Sequence, residues 1–156
     1  MSERPVRPER PERQGPPQHT RPLTRDRLME RLTALGYHVA LDEDGDPTGI
    51  WGTDRFWFLR LGAKEEIVQV RGRWHRTVPG ERRADLLLAI NDWNRDRLWP
   101  KAYVRSEGDA LAVTAEVSVD LGEGVTDDQL DATLLRGLAA GGRLFEALAL
   151  QLPEVP

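Results

Sequence analysis

The feature that most constrains the fold of this chain is an amphipathic stretch near its middle, residues 81–100. Its apolar residues recur at intervals of three and four, which places them on one face of a helix. They are Leu86, Ala89, Ile90 and Trp93. Pro79 fits the first helical turn, and Pro100 disfavours helical backbone at Trp99. The pattern predicts a central helix that separates two strand-rich halves of the chain.

Two further helices are predicted, one at each end of the ordered chain. Thr24 is a good N-cap for the first, and Gly36 suits the left-handed residue that follows it. Thr126 and Gln129 form a capping box at the start of the last. The last helix carries one continuous apolar stripe: Leu130, Leu134, Leu138, Gly141, Phe145, Leu148 and Leu152.

Three glycines inside the last helix raise the question of whether this helix is continuous. Gly137, Gly141 and Gly142 each cost about 1 kcal/mol relative to alanine in a helix interior. They either allow the helix backbone to pack closely against a neighbour or mark a kink or break near Gly142. The sequence does not decide between these alternatives.

Six segments have the composition or alternation of β-strands. They are residues 37–41, 49–52, 55–61, 67–74, 102–106 and 110–120. Short turns join most neighbouring strands, so the sheet should be largely antiparallel. The predicted order is α-β-β-β-β-α-β-β-α, an α+β fold with the helices packed on one face of the sheet.

The domain organisation follows from a change of composition at Leu23. Residues 1–22 hold six of the eleven prolines and only one aliphatic residue after Met1, which is Val6. Such a segment buries too little apolar surface to fold, so we predict a disordered Pro/Arg-rich tail. The tail either solubilises the chain or binds an aromatic groove or an anionic surface. Residues 23–156 form one predicted domain.

Most chemical functions find no support in the sequence. There is no cysteine, and the three histidines are scattered at His19, His38 and His75. No phosphate-binding glycine loop or nucleophile motif occurs, so we predict no enzyme activity, no cofactor and no metal site. No apolar run approaches the ~20 residues of a membrane span, and the N-terminus lacks the apolar core of a secretory signal. We therefore expect a cytoplasmic protein without membrane contact.

One acidic motif needs separate comment. Asp42, Asp44 and Asp46 have the spacing that opens a calcium-binding loop. Pro47 stands where such a loop needs glycine, and Thr53 stands where it needs a bidentate glutamate. A hairpin turn between two strands is therefore the predicted structure.

Charge is distributed unevenly along the chain, whose net charge is −4. Residues 71–105 hold nine basic and four acidic groups, whereas residues 106–156 hold two basic and ten acidic groups. The basic third surrounds Trp74 and could bind nucleic acid through Arg71, Arg73, His75, Arg76, Arg82 and Arg83. The acidic C-terminal third opposes that function, so we rank nucleic acid below other partners.

Two asparagines near the end of the central helix are unusual, because asparagine is a poor helix former. Asn91 and Asn94 either cap this helix and tie it to a strand, or they belong to a recognition groove. Tryptophan and arginine are the usual anchors of interfaces. The candidate partner-binding residues are therefore Arg71, Arg73, Trp74, Asn91, Trp93, Asn94, Arg97 and Trp99.

Three segments resemble a known family. VQVRGRW (68–74), NDWNRDRLWPKAYV (91–104) and VDLGEGVTDDQL (119–130) are similar to the YbjN family of bacterial sensory transduction regulators, in its actinobacterial form. The resemblance covers residues 23–153. It implies a type III secretion chaperone-like α+β fold, which in those chaperones is usually a homodimer, and it supplies no catalytic residues.

Taken together, the residues and the resemblance predict a non-enzymatic, chaperone-like or regulatory module. It would form a homodimer and bind an unidentified protein partner through a surface of tryptophan and arginine. The alternative is a sensor of a small anionic metabolite bound near Arg71, Arg73 and Arg97. Nucleic-acid binding is the third hypothesis.

Overall fold

The computed structural model describes residues 18–154, which form three α-helices and six β-strands. The helices are α1 (Arg25–Ala34), α2 (Arg83–Asp96) and α3 (Asp127–Gln151), and a 3-10 turn at Gly80–Arg82 leads into α2. The strands are β1 (Ala40–Leu41), β2 (Pro47–Trp51), β3 (Asp54–Leu61), β4 (Ile67–Pro79), β5 (Lys101–Glu107) and β6 (Ala110–Asp120). This order confirms the predicted α-β-β-β-β-α-β-β-α arrangement.

The six strands form one sheet with the order β1-β2-β3-β4-β6-β5, and every neighbouring pair is antiparallel. Alternate side chains of the long strands pack with the buried residues of all three helices in a single core. We call this side of the sheet the covered face. The other side, which the described helices leave uncovered, is the open face. The fold is therefore α+β, as predicted.

Both predicted helix caps are present. The Thr24 Oγ1 atom accepts a hydrogen bond from the Arg27 backbone N–H at 3.1 Å. The Thr126 hydroxyl accepts from the Gln129 N–H at 3.1 Å, and the Gln129 side chain accepts from the Thr126 N–H at 3.0 Å. These reciprocal bonds satisfy N–H groups that lack partners within the helix.

The glycines of α3 allow close packing, and the helix is continuous through Gly142. A Cβ atom added to Gly137 would lie 2.6 Å from the Val70 side chain, and one added to Gly141 would lie 2.7 Å from the Phe56 ring. A Cβ on Gly142 would meet nothing within 4 Å. Gly137 and Gly141 therefore set the distance between α3 and the sheet.

Several element boundaries differ from the prediction. Strand β4 continues past Trp74 to Pro79, which pairs with Ala110 and ends the strand instead of opening the helix. A register shift between Arg73 and Thr77 permits this continuation. Helix α2 ends at Asp96, because the next residue is already extended.

The first predicted strand is shorter than expected, and the second is longer. Only Ala40–Leu41 of residues 37–41 pair as a strand, because Tyr37 and Val39 pack against the core before the pairing begins. Strand β2 starts at Pro47, a position where the missing N–H is tolerated.

The predicted tail falls mainly on residues 1–17, which lie outside the described residues, so its disorder and the boundary at Leu23 stay predictions. Arg21, just before that boundary, pairs with Val125 through backbone bonds of 3.1 and 2.9 Å. The buried guanidinium of Arg27 donates to the Arg21 and Pro22 carbonyl oxygens at 2.7 and 3.0 Å. It also donates to the Asp127 carboxylate at 2.8 Å. This bond joins α1 to the first residue of α3.

Among residues 18–154, no helix combines the length and the apolar composition that crossing a membrane requires.

Candidate functional site

The open face of the sheet carries a shallow concave region of about 420 Å³. Its central residues come from three neighbouring strands, β3, β4 and β6, and from the edge strand β5. Trp57 pairs across β3 and β4 with Arg71, and Thr114 of β6 lies between Arg73 and Tyr103. Because side chains alternate along each strand, these groups share one face while their sequence neighbours enter the core. The large apolar residues that line this region are Trp57, Leu59 and Leu61. Ile50 of β2 lies opposite Arg55 on the same face of the sheet.

The charged groups of the open face are partly paired with one another. The Arg71 Nε atom lies 3.2 Å from the Glu116 carboxylate and 3.0 Å from the Gln69 side-chain oxygen. The Tyr103 hydroxyl donates to Glu116 at 2.6 Å. Burial raises the pKa of Tyr103, and its bond to the Glu116 carboxylate raises the pKa further.

Three other arginines, Arg55, Arg73 and Arg105, also lie on this surface. Arg73 forms an ion pair with Glu107, and the Arg55 guanidinium lies 6.0 Å from the centre of the Trp57 ring. Arg105 is exposed and makes no ion pair within the part of the chain that the structure describes. The open face therefore combines apolar, aromatic, basic and acidic groups.

The acidic motif borders this surface as a hairpin turn, as predicted. The Asp42 carboxylate accepts hydrogen bonds from the backbone N–H groups of Asp44 and Asp46, both at 2.9 Å. The three carboxylates lie within 4.8 Å of one another. Burial raises the pKa of Asp46, and the charges of Asp42 and Asp44 raise it further. The turn geometry accounts for Asp42, whose side chain accepts both bonds.

Trp74 is a core residue and is not part of an accessible surface. Its side chain is 1% exposed on the covered face, and Arg76 lies over its ring at 4.6 Å. Arg76 also donates to the Leu152 carbonyl oxygen at 2.7 Å, close to the end of α3. His75 bonds to Asp54 instead. The basic cluster around Trp74 is thus divided between two faces and offers no continuous surface to nucleic acid.

The end of α2 is held by side-chain bonds. Trp93 is buried, and its indole N–H donates to the Pro100 carbonyl oxygen at 3.1 Å. The Asn94 side chain exchanges two hydrogen bonds with the Ala102 backbone, at 2.8 and 3.0 Å. Asn94 therefore ties the helix to β5, the structural alternative stated above. Asn91 is exposed.

The structure divides the predicted site residues between two sides of the molecule. Arg71 and Arg73 lie on the open face, whereas Arg97 stacks over Trp93 at 4.2 Å on the helical side. Trp99 is 42% exposed on that same side. A single anion site made of Arg71, Arg73 and Arg97 is therefore not formed.

Sequence reasoning missed the aromatic part of the open face. Neither Trp57 nor Tyr103 is among the candidate residues named from the sequence. The available signal was alternation, because Phe56 and Phe58 enter the core and leave Trp57 on the opposite side.

The fold and this surface define a class: a small α+β domain whose sheet is open on one face. A family model described as "Putative bacterial sensory transduction regulator", the YbjN family, matches residues 24–150. The chain belongs to the YbjN family, which confirms the resemblance found in the sequence.

A solved structure supports the same fold. The chain is similar to the crystal structure of YbjN from E. coli, described as "a putative transcription regulator", with a TM-score of 0.68 and 15% sequence identity. The match covers 85% of this chain and 96% of that one. Identity at this level shows the shared fold and nothing further. None of the curated proteins is significantly similar to this chain.

Proposed function

We propose that this protein is a non-enzymatic regulatory module that binds a segment of another protein on the open face of its sheet. The family description as a sensory transduction regulator supports the regulatory part of this proposal. The binding part is supported by the composition and position of the open face.

One observation carries the proposal: Trp57 and its apolar neighbours stand beside arginines on a face that no described helix covers. Ile50 is 53% exposed and Leu61 37%. Exposed apolar groups rimmed by polar ones mark interaction surfaces, and Trp and Arg are the residues that most often anchor them. These side chains are not part of the core cluster, which residues of the covered face and the helices form.

The charges of the open face indicate what kind of segment it binds. Its basic residues are Arg55, Arg71, Arg73 and Arg105, and its acids are Glu107 and Glu116, with Asp42, Asp44 and Asp46 grouped in the turn between β1 and β2. The turn borders one side of the sheet, whereas Arg105 stands on β5 at the other side and makes no ion pair among the described residues. This division favours a partner segment that places carboxylates opposite the arginines, beside apolar side chains. We therefore propose an acidic, partly apolar segment as the occupant.

The paired state of the polar groups supports binding over catalysis. Glu116 is engaged by both Arg71 and Tyr103, and Glu107 is engaged by Arg73. A general acid or base must reach a substrate proton with a group that is available for transfer. The open face provides ion pairs that orient arginines instead.

The resemblance implies two further features that remain proposals, a chaperone-like mode of binding and a homodimer. A cytoplasmic location belongs with them. Size-exclusion chromatography with light scattering at tens of micromolar tests the dimer. A strict monomer would remove the dimer from the proposal without affecting the open face.

The binding proposal is tested by capture from the native host followed by reconstitution. The bait is the full chain, compared with Trp57→Ala, with Arg73→Glu and with the control Leu88→Ala. Leu88 is 64% exposed on α2, away from the open face. A protein retained by the parent and the control, lost with both open-face variants and bound directly once purified, is the expected result. Equal retention by all variants, or capture of no protein, would contradict the proposal.

A further inference from the structure

A second concave region lies on the helical side of the molecule, where the chain leaving α2 passes beside α3. Its volume is about 350 Å³, within the range of ~300–1,000 Å³ that is common for small-molecule sites. We call it the arginine pocket, and its lining residues are Trp93, Arg97, Trp99, Arg136, Ala140 and Arg143.

Sequence spacing explains how α3 contributes to this pocket. Arg136, Ala140 and Arg143 follow one another at intervals of four and three, so they share one face of the helix. Ala140 is only 4% exposed and forms a small apolar floor between the two arginines. Because its side chain is short, the guanidinium groups on either side border an open space.

The α2 side of the pocket is held in place. Trp93 is fixed by its bond to the Pro100 carbonyl oxygen, and the Arg97 guanidinium lies 4.2 Å from the centre of the Trp93 ring. Stacking of this kind orients a guanidinium while leaving its N–H groups at the ring edge available. Trp99, at 42% exposed, offers an uncovered ring beside it.

The charge of the arginine pocket is not neutralised by the described chain. Within residues 18–154, Arg97, Arg136 and Arg143 make no ion pair and no side-chain hydrogen bond. No acidic residue lines the pocket. The adjacent carboxylate, Asp96, is bound by Arg95 at 2.9 and 3.1 Å. This bond lowers the pKa of Asp96, and the nearby charge of Arg97 lowers it further.

We propose that the arginine pocket binds a small phosphate monoester attached to a flat ring, that is, a ligand of the mononucleotide class. The three positive charges of the guanidinium groups exceed the single negative charge of one carboxylate. A phosphate monoester carries up to two negative charges and three acceptor oxygens, so it matches the pocket better. The exposed Trp99 ring supplies a surface on which a planar base stacks.

The arginine pocket and the open face lie on opposite sides of the sheet. A ligand in the pocket is therefore an input separate from protein binding on the open face, and either proposal can fail without the other.

The test is isothermal titration calorimetry on the full chain at low salt, with inorganic phosphate, ribose 5-phosphate and AMP as three separate probes. We expect AMP to bind most tightly, ribose 5-phosphate more weakly and inorganic phosphate weakest. Arg136→Gln and Arg143→Gln should each weaken AMP binding about tenfold or more, because each removes a charge-assisted hydrogen bond. The matched control is Arg83→Gln, an exposed arginine at the start of α2 outside the pocket.

A further variant tests the contact with the ring of the ligand separately from the contact with its phosphate. Trp99→Leu should abolish the difference between AMP and ribose 5-phosphate while leaving phosphate binding in place. Thermal unfolding of each variant checks that the fold is intact. Absence of binding by all three probes, or equal loss with Arg83→Gln, would overturn the proposal. Tighter binding of a single-stranded oligonucleotide than of AMP would assign the pocket to nucleic acid and overturn the mononucleotide assignment.

Discussion

The two faces of the sheet are made by the same strands, yet they differ in what surrounds their side chains. On β3, Phe56 and Phe58 are 2% and 0% exposed against the helices, whereas Trp57 between them lies on the open face. The covered face is packed so closely that Gly137 and Gly141 have no room for a Cβ atom. The open face has large side chains without such constraints. The comparison indicates that the covered face supplies most of the packing, whereas the open face is the surface on which we propose that a partner binds.

The largest expected effect on stability concerns two tryptophans, one from each face of the sheet. Trp74→Ala should lower the free energy of unfolding by about 3–5 kcal/mol, because it empties a fully buried site. Trp57→Ala should cost far less, about 1 kcal/mol, because that ring is only partly buried. Urea denaturation of both variants measures the difference. Similar losses for the two would show that the open face also stabilises the fold.

A second test addresses the close approach of α3 to the covered face. Gly141→Ala should destabilise the protein by about 1–3 kcal/mol, because the added methyl group would overlap the Phe56 ring. Gly142→Ala is the matched control, since the space around it is open, and it should stabilise by up to ~1 kcal/mol through helix propensity. Thermal or urea unfolding measures the change in stability of each variant. Changes of opposite sign support close packing at Gly141, and stabilisation by both substitutions would contradict it.

A third comparison tests how the end of α2 is attached to β5 on the covered face. Asn94→Ala removes two hydrogen bonds to the Ala102 backbone and should cost about 1–3 kcal/mol. Asn91→Ala alters an exposed residue and should stay within about 0.5 kcal/mol of the parent. Equal effects at the two positions in chemical denaturation would argue against the structural role of Asn94.

The smallest expected effect concerns the rim of the open face. Burial and the neighbouring carboxylates raise the pKa of Asp46 in the folded state. The penalty for its charge is therefore absent below the unfolded pKa of about 3.9 and complete above the folded one. Asp46→Asn should raise stability at pH 7 by at most about 0.5 kcal/mol. The gain should vanish as the pH falls below about 4, and a gain independent of pH would contradict this cause.

Local signals in the sequence were sufficient for the helices. The Thr126 cap, the apolar stripe of α3 and the buried side of α2 depend on spacing within one element. The end of β4 was not predictable in this way, because Thr77 and Pro79 pair with Ala112 and Ala110 only after a register shift within the sheet. Strand pairing of this kind depends on the partner strand.

The candidate site likewise contains residues whose positions follow from local spacing and residues whose positions depend on the packing of distant elements. Alternation along β4 is sufficient to place Arg71 and Arg73 on the same side of the strand, as the structure has them. The proximity of Arg97 to Arg136 and Arg143 depends on how α3 crosses the sheet, which no local pattern reports. Trp93 and Trp74 were candidates because of their chemistry. Spacing already placed Trp93 on the apolar face of α2, and the packed structure assigns Trp74 to the core as well.

The most direct test of the central claim is nuclear magnetic resonance of the tryptophan indole N–H groups during titration with the purified partner. The five tryptophans sample both faces of the sheet, with Trp57 on the open face and Trp74 and Trp93 in the core. The account predicts that the Trp57 resonance shifts or broadens first, while those of Trp74 and Trp93 stay in place. A response confined to Trp99, with Trp57 unchanged, would contradict it and move the binding surface to the helical side.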